Sequence, residues 1–185
     1  MNCFKKLALF AFIAFGFTTP IIAQEASKET SKENASITKE EKSVTKHTVV
    51  IGGKTINYTA TAGALILRNN IDEPIAFFGY TAYTKDGEEA GKRPITFSFN
   101  GGPGSASMWL HFGVMGPKRV VVNDPSDNLA APFKVEDNQY SILDNSDIVM
   151  MDPIGTGISR AIGKAKNEEF WGVNGDIKSV GDFVK

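Results

Sequence analysis

Residues 95–107 read ITFSFNGGPGSAS: an apolar run, then a turn holding three glycines and a proline, with the helix-compatible stretch SMWLHFG following at once. A strand that enters a glycine-rich turn before a helix is a common way to aim backbone N–H groups at an anion. Neither nucleotide-binding pattern fits. A dinucleotide fingerprint needs G-x-G-x-x-G, but Gly102 and Gly104 are followed by Ser107, and Pro103 removes an amide such a turn would use. A P-loop needs Gly-Lys-Ser/Thr, and the turn has no lysine. Two readings remain. One is a tight turn; the other is an oxyanion hole, whose N–H donors face the oxygen that becomes negative as an acyl group is attacked. Glycines permit the close approach and unusual φ values that such donors require, and Pro103 stiffens the loop.

A second apolar run leads into a second glycine turn. In SDIVMMDPIGTGIS (Ser146–Ser159), Ile148–Met151 is continuously apolar, as in a strand buried on both faces, and Asp152–Ser159 follows as the turn. Loops at the carboxyl ends of parallel strands gather on one side of an open α/β sheet, so the two turns can share one site. Asp152 reads equally well as the residue that starts its turn.

Upstream, HTVVIGGKTINYTATAGALIL (His47–Leu67) alternates β-branched or aromatic residues with polar ones and carries GGK between two such runs, which predicts a hairpin. Further strands are expected near Pro74–Thr84 and Pro94–Phe99, and KRVVV (Lys118–Val122) is another candidate. Residues 123–145 read as a long polar loop with scattered apolar anchors. Near the end, NGDIKSVGDFVK sets Ile177, Val180 and Val184 at helical spacing with Phe183 beside them, and the pattern runs to Lys185 without a stop signal. The whole predicts an α/β arrangement: antiparallel strands leading into a mostly parallel sheet with helices on both faces.

Residues 1–23 have the form of a signal peptide, with Lys5 and Lys6 ahead of an apolar stretch that ends in Ala23. Residues 24–46 are almost all Lys, Glu, Ser and Thr and read as a disordered polar linker. Export to a periplasm or to the outside of a bacterial-type cell follows. Cys3, the one cysteine, would leave with the signal, so stability must come from packing and not from disulfides. A formal net charge of −1 gives no reason to expect nucleic acid as a partner.

Acyl transfer needs a nucleophile, a base and an orienting acid, and no segment matches G-x-S-x-G. The nearest candidate, GISRA, puts Ser159 several residues past its strand; Ser105 and Ser107 read as helix caps. His47 and His111 are the only histidines, without a second ligand at metal spacing, so neither a metal nor another cofactor is expected.

With those residues in view, the chain resembles the serine carboxypeptidases, peptidase family S10, of the α/β-hydrolase fold. SFNGGPGSASMW is similar to that family's W-L-N-G-G-P-G-C-S-S segment, DIVMMDPIGTGIS to its strand and D-Q-P-x-G-T-G-F-S segment, HFGVMGPKRV to its G-P-x-x-V stretch, and EEFWGVNGDIKSVGDF to the helix preceding its nucleophile. The likeness covers Arg93 to the end with specific motifs and, more loosely, the strands from His47. It implies that residues 47–185 are the N-terminal portion of such a domain, incomplete because the sequence ends before the nucleophile. It further implies that the Gly102 N–H serves an oxyanion hole, and that Asn100 with Gly101 holds the carboxylate at a peptide's C-terminus. The implied reaction is hydrolysis of the last peptide bond, with the serine, aspartate and histidine not in this chain, which alone should be inactive. Departures are Ser98 for the tryptophan, Ser105 for the cysteine, and Asp152-Pro153 without the intervening glutamine. An esterase or acyltransferase of the same fold, or a non-catalytic exported module, are the alternatives.

Overall fold

The computed structural model describes residues 39–89, 91–101, 104–122 and 134–185. The expected signal peptide, residues 24–38 of the expected linker, and Gly102 lie outside them. Strand β1 (Glu41–Ile51) turns at Gly52 and Gly53 into β2 (Lys54–Arg68). Both glycines have positive φ, 55° and 77°, as a two-residue hairpin loop of the right twist demands. Strand β1 already includes Glu41–Lys46, ahead of His47, which corrects the expected linker boundary. Glu41–Lys46 pairs residue for residue with Thr59–Ala64, and its side chains face solvent. A charged, polar composition suits a solvated sheet edge as well as it suits a tether.

Strand β3 (Pro74–Lys85) continues the antiparallel meander, and β4 (Ile95–Ser98) leads into the first glycine turn. There follow a short helix α1 (Met108–Leu110), a wide π-type turn (His111–Met115), and a separate ribbon of β5 (Lys118–Val120) with β6 (Val135–Asp137). Strand β7 (Asp147–Met151), the second glycine turn, β8 (Arg160–Ala161) and helix α2 (Val173–Val184) complete the order. In the main sheet the strands run β1-β2-β3-β7-β4, with β8 also paired to β3.

The result is a mixed, sheet-dominated fold with few helices. A mostly parallel sheet is not what forms: among the described residues only β4 and β7 pair in parallel. Parallel neighbours need a crossover connection, and the segment from β4 to β7 is the one that provides it, whereas the other main-sheet strands meet antiparallel.

Two apolar clusters flank the sheet, and β7 feeds both. Ile148 and Met150 join Val49, Ile56, Tyr58, Tyr83 and Leu143 on one face. Met151 joins Leu67, Ala76, Phe78, Ile154 and Phe170 on the other, with Val149, Val180 and Phe183 packed against them. Successive side chains of a strand point to opposite faces, so an unbroken apolar run is what a central strand between two cores requires.

Helix α2 covers the second face, rotated from the expected one. Phe183 stacks on Phe78 at 4.8 Å and meets Tyr80 edge-on at 5.6 Å. Ile177 is 68% exposed and Val184 45%, while Ser179 is buried. Aromatic area decides the orientation. Gly175 lets the helix start pack against the turn before it, since a Cβ there would lie 2.7 Å from the Glu169 carbonyl oxygen. Urea unfolding should therefore separate two residues of the same helix. Phe183→Ala should lose about 3 kcal/mol, and Ile177→Ala should stay within about 0.5 kcal/mol of the parent; equal losses would place the inner face of α2 elsewhere.

Candidate active site

Parallel pairing of β4 and β7, Ile95 opposite Asp147 through Ser98 opposite Met150, brings their carboxyl ends side by side. Both glycine turns therefore leave the sheet at one place. Between them lies a cavity of about 560 Å³, lined by Phe99, Asn100, Gly101 and Gly104 of the first turn and Pro153–Thr156 of the second. Its third wall is the start of α2: Trp171, Gly172, Val173 and Asp176.

The turns are bonded to each other. The Asp152 carboxylate accepts the Ser107 N–H at 2.8 Å through Oδ1, the Ser107 hydroxyl donates to the Met151 carbonyl, and the Asp152 N–H donates to Gly79 O at 3.1 Å. Gly157, at φ 50°, lies so close to the same carboxylate that a Cβ would strike its Oδ2. Within the second turn, Gly155 N–H donates to Ser159 O at 3.0 Å, and the Thr156 hydroxyl donates to Pro153 O at 2.8 Å. Asp152 is thus a cross-link between the turns as well as the first residue of its own.

Asn100 holds helix α1. Its Oδ1 accepts the Leu110 N–H at 3.2 Å, which identifies the oxygen and leaves the Nδ2 amine as the group available to a ligand. Ser107 sits at the helix start without capping it through its side chain. The expected carboxylate grip, Asn100 and Gly101, thus lines the cavity, while Gly102, the expected oxyanion donor, lies outside the described residues.

Neither a family model nor a curated protein matches this sequence.

Among the described residues, no serine or histidine lines this cavity. Ser159 is 3% exposed, and its hydroxyl oxygen accepts the Gly79 N–H at 2.7 Å, tying the second turn to β3. Ser105 donates to the adjacent Ala106 carbonyl at 3.3 Å. A second cavity, about 600 Å³, is lined by Ser107, His111 and Asp152 together with strand residues such as Phe77 and Thr81. Those three residue types suggest a relay, but the bonds do not form one. Ser107 donates to the backbone, and His111 pairs through Nε2 with the Tyr83 hydroxyl. His47, on the exposed β1, pairs with the Thr45 hydroxyl at 2.7 Å and stacks on Tyr58.

Phe99, Trp171 and Asp176 were not marked by any motif as site residues. Their place in the site is visible only in the structure, where Trp171 is 59% exposed and Gly172 has a φ of 104°.

Burial pushes the His111 pKa below its ordinary 6.5, and the nearby Asp152 charge opposes that shift only in part. The unfolded chain then takes up a proton near pH 6.5 that the folded chain refuses, so this contribution to stability is complete above that pH and falls as the pH is lowered through it. Chemical denaturation across pH 5 to 8 should show such a decline, and His111→Gln should flatten it; an unchanged slope would remove His111 as the cause.

Proposed function

We propose that this chain is the substrate-recognition part of a serine-carboxypeptidase-like α/β-hydrolase, gripping the C-terminal carboxylate of a peptide with Asn100 and Gly101. One observation carries the proposal: two glycine turns, on parallel neighbouring strands, open into one cavity beside an asparagine amine held in place by its own oxygen. Crevices at the carboxyl ends of parallel strands are where open α/β sheets bind ligands. A fixed amide and glycine backbone provide donors without the reorganisation that flexible side chains would need. In this reading Gly102 adds its N–H to stabilise the tetrahedral oxygen. The attacking serine, the histidine that moves its proton and the aspartate that orients the histidine come from outside these residues. Recognition without hydrolysis is therefore what the chain itself performs.

Asn100→Asp is the informative substitution, because it keeps an oxygen for the Leu110 N–H and replaces the amine with a negative oxygen. Calorimetric titration with an N-acetylated tripeptide should give binding that an amidated C-terminus weakens by about tenfold or more, and the variant should lose discrimination between acid and amide. Equal binding of acid and amide by the parent chain would refute the carboxylate grip and favour an esterase or acyltransferase.

A further inference from the structure

Apolar side chains and glycine backbone make up most of the walls of this cavity, and one described residue in them carries an ionisable group. Trp171 and Phe99 are 59% and 46% exposed, both large side chains left open where they line the cavity. Trp171 is set against the second turn, since a Cβ on Gly155 would come within 2.7 Å of its indole Nε1. Asp176 is the sole ionisable side chain among the described lining residues. It is half-buried in the first turn of α2, beside the positive end of the helix dipole. Bonds to Asp176 among the described residues engage its backbone: its N–H donates to Gly172 O at 3.0 Å, and its carbonyl accepts the Ser179 hydroxyl at 3.2 Å. No lysine, arginine or histidine among them pairs with its carboxylate.

We infer that the cavity selects peptides ending in lysine or arginine, with Asp176 as the charge partner of that side chain and Trp171 and Phe99 as its walls. The inference rests on the reading of Asn100 and Gly101 as the carboxylate grip. A terminal carboxylate held there meets amide dipoles and, among the described lining residues, no cation, so Asp176 adds a second negative charge to the site. A neutral side chain leaves both charges uncompensated, and an acidic one adds a third. A basic side chain neutralises Asp176, lays its methylenes along the aromatic walls and places its charge near the indole face. The expected order is therefore Lys and Arg before Leu, and Leu before Glu.

Titrating the 185-residue chain with acetyl-Ala-Ala-Lys, -Leu and -Glu, each as free acid and as amide, tests this. The lysine acid should bind about tenfold tighter than the leucine acid. Asp176→Asn should bring lysine down to the leucine level without weakening leucine. Asp176→Ser, also suited to a first helical turn, should do the same, and circular dichroism should show both variants folded. Equal binding of lysine and leucine acids, or a lysine preference that survives both substitutions, would overturn the inference while the acid-over-amide preference still supports the carboxylate grip. A lysine preference shared by acid and amide and lost in both variants would support Asp176 as the cation partner and refute the grip. Absence of binding by every peptide would overturn both.

Discussion

A single parallel pairing holds the two glycine turns and the cavity between them together. Strand β7 enters the sheet between β3 and β4, although it lies far beyond both in the sequence. Its parallel alignment with β4 fixes the two carboxyl ends as neighbours. Antiparallel pairing of the same strands would send the turns to opposite ends of the sheet. The apolar run Ile148–Met151 makes this position possible, because a strand there must bury both faces. Past Met151 the chain folds back so that β8 pairs with β3. Gly79 marks the place on β3 where the turn crosses: a Cβ there would strike the Ile158 side chain, its N–H meets Ser159, and its carbonyl receives the Asp152 N–H.

Polar groups in the second turn are used to make it rigid, and one of them, Thr156, also lines the cavity. Asp152, Thr156 and Ser159 each bond to backbone groups of the turn or its neighbours. A buried polar network of this kind stabilises only when its members are satisfied, and it then specifies one arrangement. The cavity, by contrast, presents an amide, a carboxylate and exposed aromatic surface. The second cavity shows why residue type alone does not identify a site. Ser107, His111 and Asp152 meet there, yet each has a structural partner: the Met151 carbonyl, the Tyr83 hydroxyl and the Ser107 N–H.

The sequence exposed those features that depend on local chemistry. Adjacent glycines announced the hairpin at Gly52 and Gly53, and the unbroken apolar run announced a doubly buried strand. The meeting of the two turns was legible from the strand-turn order in ITFSFNGGPG and DIVMMDPIGTG. Less legible were features set by tertiary packing. The rotation of α2 depends on Phe78, which lies in a distant strand, so periodicity alone favoured Ile177 over Phe183. Glu41–Lys46 looked like a tether because an edge strand and a solvated linker share a composition. The parallel content of the sheet was overestimated because the crossover from β4 to β7 occurs once among the described residues. Trp171 and Asp176 enter the site through the placement of the α2 start, which no motif encodes.

If both turns and the start of α2 form one site, a bound peptide must touch all three. Backbone and indole amide resonances followed during titration with acetyl-Ala-Ala-Lys report on this. Gly101, Gly155, Thr156 and the Trp171 indole should shift together along a single binding curve, with Ser107 and His111 little affected by contact. Shifts confined to one turn, or centred on Ser107 and His111, would contradict the account.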